Sequence, residues 1–376
     1  MVDLVANDFD HRVISLNRSM PDWTAVTGMA TGRHSPILER RTGFRLESLR
    51  YAGFPKGILH ATTLRKLADG LCNLTDDCRR PDLLIGYKLS IEGLVVAEMA
   101  RRLGLPYALV VQGNTDAKIV AARPDLRRLF AWVLQGAEVV FSLAPWAIAR
   151  IEALLRVRAR TIIHLPCPIA LDQPIAPRVT GASLITAFHL RHHRLKNFTG
   201  LARAVSLARR IDSTLELEVV GGGDARDTAV VRTIAQRSRG IRLAGAVSNR
   251  DMAARYNDAA GFVLPSRRES FGMVFLEALF CGAPVVYPAD RAISGWFEDE
   301  PFAIPVDPED PRAIAAAMLH IKRDEPRLKR ALSNWQTSSA ADKFKRASIA
   351  RAFEGGLRAA AMASSAAPVP AYGDAA

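Results

Sequence analysis

Short apolar runs closed by turn residues, each followed by a stretch of helical periodicity, recur along this 376-residue chain. In the first half they fall at residues 11–16, 44–51, 81–87, 107–113, 138–145 and 161–169, with helical stretches such as 92–104 between them. Alternation of this kind predicts a parallel, doubly wound sheet. The second half repeats the unit more cleanly. Residues 183–207 read as strand, basic loop and helix, residues 215–234 as strand, glycine turn and helix, and residues 241–260 as strand, polar turn and helix. From Gly261 to Leu264 the chain suits a buried strand, Pro265 and Ser266 end it, and the run from Met273 to Phe280 has helical spacing. Gly282, Ala283 and Pro284 close that helix before Val285 begins another strand. Ser248 or Asn249 is expected to cap the helix that follows it, and Asp310, with Pro311 at the first helical position, another.

The length exceeds what a single core usually supports, so two domains are expected. The proline-rich stretch 166–177 reads as the linker, which places an N-terminal Rossmann-like domain at 1–171 and a second at 172–345. Residues 346–362 form a terminal helix, and the small, proline-containing residues 363–376 a disordered tail. Hydrophobic content of 49% and charged content of 24% describe an ordinary globular chain. The longest apolar stretch, 129–149, is interrupted by Gln135, Gly136, Glu138 and Pro145, and the acidic N-terminus lacks a signal-like apolar core. Cys72, Cys78, Cys167 and Cys281 show no metal-type spacing and read as reduced thiols, so a cytoplasmic location is expected. A net charge of +13 favours acidic partners. The arginines are scattered without interleaved aromatics, so no nucleic-acid partner is expected, and an anionic membrane surface is preferred to it.

Candidate chemistry concentrates at residues 265–288, where Glu269 and Glu277 stand eight positions apart across a glycine-containing turn and the start of an apolar helix. Ser270, Phe271 and Gly272 fall where that helix begins, and free N–H groups with the positive end of the helix dipole behind them suit an anion or a sugar hydroxyl. Glutamates ordinarily end as solvated charges. Here Glu277 interrupts an apolar helix and Glu269 follows a strand, the position at which open α/β sheets place ligands. His189, His192 and His193 have no local carboxylate or cysteine and read as part of a basic loop rather than a metal site.

The segment resembles the E-x7-E signature of retaining GT-B glycosyltransferases, in particular glycosyltransferase family 4, whose pattern also fixes the flanking Pro-Ser, Phe-Gly, Glu-Ala and Gly-x-Pro-Val positions found here. Residues 183–207 resemble the same family's basic loop, with Arg191 and Lys196 in the places of the cations that neutralise the donor diphosphate. Leu190 and His192 depart from that pattern, which leaves Arg194 as a substitute for Arg191. The turn at Gly221–Gly223 resembles the family's glycine turn near the nucleotide, and residues like Ala246 and Val247 meet the base edge in relatives.

The resemblance implies two Rossmann-like domains facing a cleft, and a metal-independent hexosyl transfer from a UDP- or GDP-linked sugar to a hydroxyl acceptor, with no other cofactor. It further implies that Glu269 contacts sugar hydroxyls, that Arg191 and Lys196 take the diphosphate charge, and that Glu277 holds the ribose. Ser270, Phe271, Gly272, Met273, Val274, Gly223, Ala246 and Val247 complete the donor side. The expected acceptor is a glycan or lipid-linked glycan of a bacterial envelope or exopolysaccharide, met from the cytoplasm at the inner membrane face. Gln112 stands where many relatives carry a histidine, and Asn114 and Asp116 are acceptor-side candidates that turn formation explains equally well. Family members open with a strand and glycine loop before the strand found here at 11–16, so the resemblance implies either that the start is misplaced or trimmed or that the N-terminal domain lacks its first strand. The alternative is a non-catalytic relative that binds sugar nucleotides or scaffolds a glycan-assembly complex.

Overall fold

A computed structural model describes residues 1–19, 37–42, 46–53, 59–76 and 80–363. Cysteine 78 and the expected tail beyond residue 363 lie outside the described residues. The chain divides into two units: residues 1–143, 147–165 and 350–376 form one, and residues 144–146 and 166–349 the other.

The first unit holds two sheets. Four parallel strands, β4 (Leu84–Tyr87), β5 (Tyr107–Val111), β6 (Val139–Ser142) and β7 (Ile162–His164), pair in chain order. Their crossovers are helices: α2 (Leu94–Leu103) precedes β5, α3 (Asn114–Ala122) and α4 (Arg127–Gly136) precede β6, and α5 (Pro145–Leu155) precedes β7. A further helix, α1 (His60–Asp76), lies ahead of β4. β5 and β6 are buried throughout, which is why both read as unbroken apolar runs.

The other sheet corrects the expectation of one parallel sheet for this half. β1 (Val13–Ser19) pairs parallel with β3 (Leu46–Ala52), and β3 pairs antiparallel with β2 (Ile37–Thr42), a strand the apolar pattern does not reveal. Chain length dictates the direction: three residues join β2 to β3, enough for a hairpin, whereas a parallel pair needs a crossover of about a dozen residues. Before β1 the described chain forms a 3₁₀ turn, Val2–Val5.

The second unit carries one six-stranded parallel sheet in the order β10-β9-β8-β11-β12-β13. The strands are β8 (Leu184–Ala187), β9 (Leu217–Val220), β10 (Ile241–Gly245), β11 (Phe262–Val263), β12 (Val285–Pro288) and β13 (Ala303–Val306). Helices α6 (Phe198–Ala208), α7 (Ala225–Gln236), α8 (Asn249–Asp258) and α9 (Met273–Phe280) link them in turn, and α10 (Pro311–Gln336) follows β13. Starting from β8 the chain winds outward to β10, then returns to the other side of β8 as β11.

Local signals set these helices. Ser248 Oγ accepts from Asp251 N at 3.2 Å at the start of α8, and Asp310 accepts from Arg312 N at 2.8 Å with Pro311 first in α10. Gly282 ends α9 with φ of 87°, and a Cβ there would lie 2.7 Å from Pro177 Cα, so both conformation and space demand glycine. An aromatic ladder ties α8, β11, α9 and β12 together. Tyr256 and Phe262 stand edge to face at 5.5 Å, Phe262 and Phe275 at 5.5 Å, and Phe275 and Tyr287 at 6.3 Å. Each contact adds about 0.5–1.5 kcal/mol beyond area burial and stiffens the floor under the loops that follow β11 and β12. A single-turn helix, α11 (Ser339–Asp342), and a 17-residue helix, α12 (Arg346–Met362), end the described chain.

Candidate active site

β8 and β11 are neighbours in the second sheet, but their chains leave in opposite senses, so their carboxyl ends open a crevice of the kind at which doubly wound sheets bind ligands. The loop after β8 carries Arg191, Arg194 and Lys196, and the loop after β11 carries Glu269. Lys196 Nζ and Glu269 Oε2 form an ion pair across this switch point, with side chains 21% and 15% exposed. The two loops are also joined through backbone, Arg267 N donating to Leu195 O at 2.9 Å.

Each loop is held from outside. Leu190 N donates to Gly222 O at 2.9 Å, which sets the β8 loop against the turn after β9. A Cβ on Gly221 would fall 1.9 Å from Phe188 O, and one on Gly223 would fall 2.9 Å from Leu190 Cβ, so these glycines permit the approach. Asn197, next to Lys196, is fully buried with φ of 56°, and its Nδ2 donates to Pro308 O at 2.5 Å. On the other side Arg267 pairs with Glu309 at 2.7 Å, and Arg291 donates to Arg267 O at 2.6 Å. Neither Arg267 nor Arg291 stands out in the sequence as a supporting residue, because their partners lie 42 and 24 positions away.

Gly272 precedes α9 with φ of 73°, and no side chain caps the helix. Its missing Cβ would lie 2.9 Å from Glu269 Cγ and 2.7 Å from the Phe275 ring, so the turn that exposes the first N–H groups of α9 also seats Glu269. Gly272→Ala is expected to cost about 1–3 kcal/mol through positive φ and this clash, read as a lower denaturation midpoint. Met273 is 49% exposed, Ser270 and Val274 are half-buried, and Phe271 is buried, so at Phe271 the backbone rather than the ring faces the loop.

Glu277 sits one turn into α9, half-buried and without an ion-pair or hydrogen-bond partner for its carboxylate among the described residues. Burial raises its pKa above the ordinary glutamate value of 4.5. The nearby Cys281 thiol is pushed up to about 12 by burial, with the Glu277 charge adding to the effect. Gly223, Ala246 and Val247 lie in the turns after β9 and β10 at the same edge of the sheet. Arg191 and Arg194 are exposed, and neither guanidinium has an ion-pair partner among the described residues. Burial, aided by Arg194, lowers the pKa of His193. No group of three His, Cys, Asp or Glu among the described residues is placed to hold a metal ion.

Gln112, Asn114 and Asp116 follow β5 in the first unit. Gln112 and Asn114 are half-buried, whereas Asp116 is 1% exposed and accepts from Ser90 N at 3.0 Å and Ser90 Oγ at 2.8 Å. Burial raises its pKa despite those bonds, and its visible work is to tie α3 to the π-helical turn Leu89–Gly93. The same turn receives His60, whose Nε2 lies 2.8 Å from Ser90 O, and holds Glu92 3.4 Å from Lys88 Nζ. Lys88 has φ of 95°, unusual for a lysine. A polar cluster thus stands beyond the carboxyl end of β4, a place the sequence marks only by two charges next to an apolar run.

A family model described as glycosyl transferases group 1 matches residues 183–324, the stretch that contains every donor-side candidate. Among curated proteins, the phosphatidyl-myo-inositol mannosyltransferase of Propionibacterium freudenreichii is 34% identical over 106 residues, covering 28% of this chain and 25% of that one. The D-inositol 3-phosphate glycosyltransferase of Salinispora tropica is 32% identical over 153 residues, covering 38% and 32%. The chain thus spans about a quarter to a third of these relatives' length. Among solved structures, sucrose-phosphate synthase from Thermosynechococcus elongatus superposes with a TM-score of 0.63 at 19% identity, over 93% of this chain and 98% of that one. The Anabaena protein HepE, solved with UDP and glucose, gives 0.61 at 14% identity, over 95% and 94%. These likenesses identify the fold as GT-B, two Rossmann-like units. The stretch that matches the glycosyl transferases group 1 model, residues 183–324, is the one that carries the Lys196–Glu269 pair.

Proposed function

We propose that the chain is a retaining, family 4 type hexosyltransferase that moves a sugar from a UDP- or GDP-linked donor to a hydroxyl acceptor without a metal ion. The observation that carries this is the Lys196–Glu269 pair at the switch point, flanked by the uncapped start of α9 and the glycine turn after β9. Departure of a nucleoside diphosphate leaves negative charge on phosphate oxygens. Lys196 and the N–H groups of Met273 and Val274 are fixed donors for that charge, worth more in a partly dehydrated crevice than in water, and Arg191, which has no ion-pair partner among the described residues, adds a further cation. Glu269 exchanges part of its contact with Lys196 for sugar hydroxyls and so orients the transferred ring. Gly223, Ala246 and Val247 border the nucleotide.

The acceptor we assign is a hydroxyl of a glycan or lipid-linked glycan, met in the cytoplasm at an anionic membrane surface. The curated relatives are named for phosphatidyl-myo-inositol and D-inositol 3-phosphate, which keeps phosphate-bearing acceptors in the test set. Among the described residues no helix is long and apolar enough to cross a membrane, and the net charge of +13 supplies the attraction. The deciding experiment incubates the protein with a panel of UDP-, GDP- and ADP-sugars. One donor is expected to raise the denaturation midpoint and to be slowly hydrolysed, and NMR of the product should give the donor's anomeric configuration. Inversion, or protection by none of the panel, would overturn the reading.

Glu277 gives this assignment a two-signed test. Its raised pKa means that the ionised form destabilises the folded state, a penalty fully present above that pKa and relieved as pH falls through it. A ribose bound through the carboxylate behaves oppositely, losing affinity over the same fall in pH. Glu277→Gln is therefore expected to leave the denaturation midpoint unchanged or raised while weakening donor binding about tenfold, and to flatten its acid limb. A variant that lost stability and kept its affinity would refute the ribose role.

A further inference from the structure

A groove of about 770 Å³ runs along the outer side of α6 from Thr199, between the end of α7 and the start of α10. Arg203 and Arg210 line it from α6 and the turn after it, Arg237 from the end of α7, and Arg312 from the first turn of α10. Seven positions separate Arg203 from Arg210, roughly 10 Å along a helix axis, so the charges form a row rather than a point. None of the four guanidiniums has an ion-pair or hydrogen-bond partner among the described residues. Other arginines of this unit are used internally: Arg209 donates to Leu215 O at 2.6 Å, and Arg242 and Arg255 share Glu218. The one carboxylate in the lining, Asp310, is engaged as the cap of α10. The floor is neutral, with Ser206 Oγ donating to Ser238 Oγ at 2.8 Å and Ser238 Oγ to Ala202 O at 2.9 Å.

We infer that this groove binds a polyvalent, phosphate-bearing anion at a site separate from the donor crevice. Four like charges around one concavity raise its potential by mutual reinforcement, and an anion that spans them relieves their repulsion. Guanidinium forks match phosphate oxygens in pairs, which distinguishes the row from a scatter of solvated ammonium groups. Single-stranded nucleic acid is a poor occupant because the lining contains no aromatic ring on which a base would stack. The phosphates come from a free oligophosphate or from a row of phospholipid headgroups, the same chemistry from two sources. No lining residue belongs to the donor-side set, so the inference stands whether or not the donor assignment does.

Titration calorimetry with inorganic tripolyphosphate tests it, on the full chain carrying Lys196→Ala and Arg191→Gln so that the donor crevice does not compete. One equivalent is expected to bind, weakening steeply as salt rises from about 50 to about 200 mM. Arg203→Gln with Arg210→Gln, and separately Arg237→Gln with Arg312→Gln, should each weaken binding at least about tenfold, two charge-assisted contacts being lost in each pair. All four side chains are exposed, so unchanged denaturation midpoints are expected to show that the variants fold. A second arm sediments the protein with vesicles of phosphatidylglycerol or of phosphatidylcholine. Retention on phosphatidylglycerol alone, lost in the arginine variants, assigns the groove to headgroups; tripolyphosphate binding without retention assigns it to free phosphate. No binding in either arm, or binding in both that the arginine variants leave intact, overturns the proposal.

Discussion

Lys196→Ala is expected to lower the transfer rate by about 10²–10³-fold, the usual cost of removing one fixed donor from developing charge. Glu269→Gln should cost a similar factor for a different reason, since an amide keeps the shape but gives up the negative charge that accepts from Lys196 and, in the proposed role, from sugar hydroxyls. Because the two groups contact each other, the losses will not add. In Lys196→Ala the carboxylate, 15% exposed, is left without its ammonium partner, and part of the rate loss is misplacement of Glu269. The double variant should therefore fall short of the product of the single effects by about 0.5–3 kcal/mol of coupling, measured from initial rates with the donor found in the panel screen. Multiplicative losses would show that the pair does not act as a unit, and unchanged rates in both single variants would end the assignment.

Lys329→Met is expected to be the most damaging single change to the stability of the second unit. Lys329 and Glu325 lie one turn apart on α10, just past a kink at Asp324, with side chains 1% and 3% exposed and 2.9 Å between charges. Glu325 also accepts from Thr180 N and Gly181 N at 3.0 Å each, and Lys329 donates to Ala259 O at 2.8 Å and to Arg178 O. The pair thus anchors residues 178–181, the approach to β8, onto α10. Burial lowers the pKa of Lys329, opposed by Glu325, so the ammonium depends on its partner. Methionine fills the stem but leaves a buried carboxylate uncompensated, at a cost of about 3–5 kcal/mol. Adding Glu325→Gln should recover part of that loss, because it removes the uncompensated charge, and only part, because the amide oxygen accepts from just one of the two N–H groups. Chemical denaturation of the three variants checks both statements, and equal midpoints for single and double variants would contradict the charge argument.

The donor half was legible because its signals are local. Glycine turns, Ser248, Asp310, Pro311 and the Phe-Gly turn each act within a few residues, and the strand–turn–helix unit repeats with little insertion. The sequence marks Lys196 and Glu269 separately, yet their ion pair depends on two strands pairing across 73 positions of chain, which no spacing announces. The first half was read less well. β2 carries Glu39, Arg40 and Arg41 in a row, Glu39 pairing with Arg41 on its own strand and with Arg50 across on β3, so no apolar alternation announces the strand. Asp116 illustrates the opposite difficulty. A polar residue in a Gly-Asn-Thr-Asp stretch reads as turn or cleft, but the fold buries it to satisfy Ser90, and burial is a tertiary property.

β11 is only two residues long and meets β8 through a single residue pairing, Phe262 with Ile185. That contact closes a long chain loop, the kind of event that comes late because its entropy must be overcome before its contacts form. The Lys196–Glu269 contact therefore requires β11 to be seated beside β8, since β8 to β10 alone supply only half the crevice. On the proposed function, a bound donor would clamp the finished sheet, slowing its opening without hastening its closure.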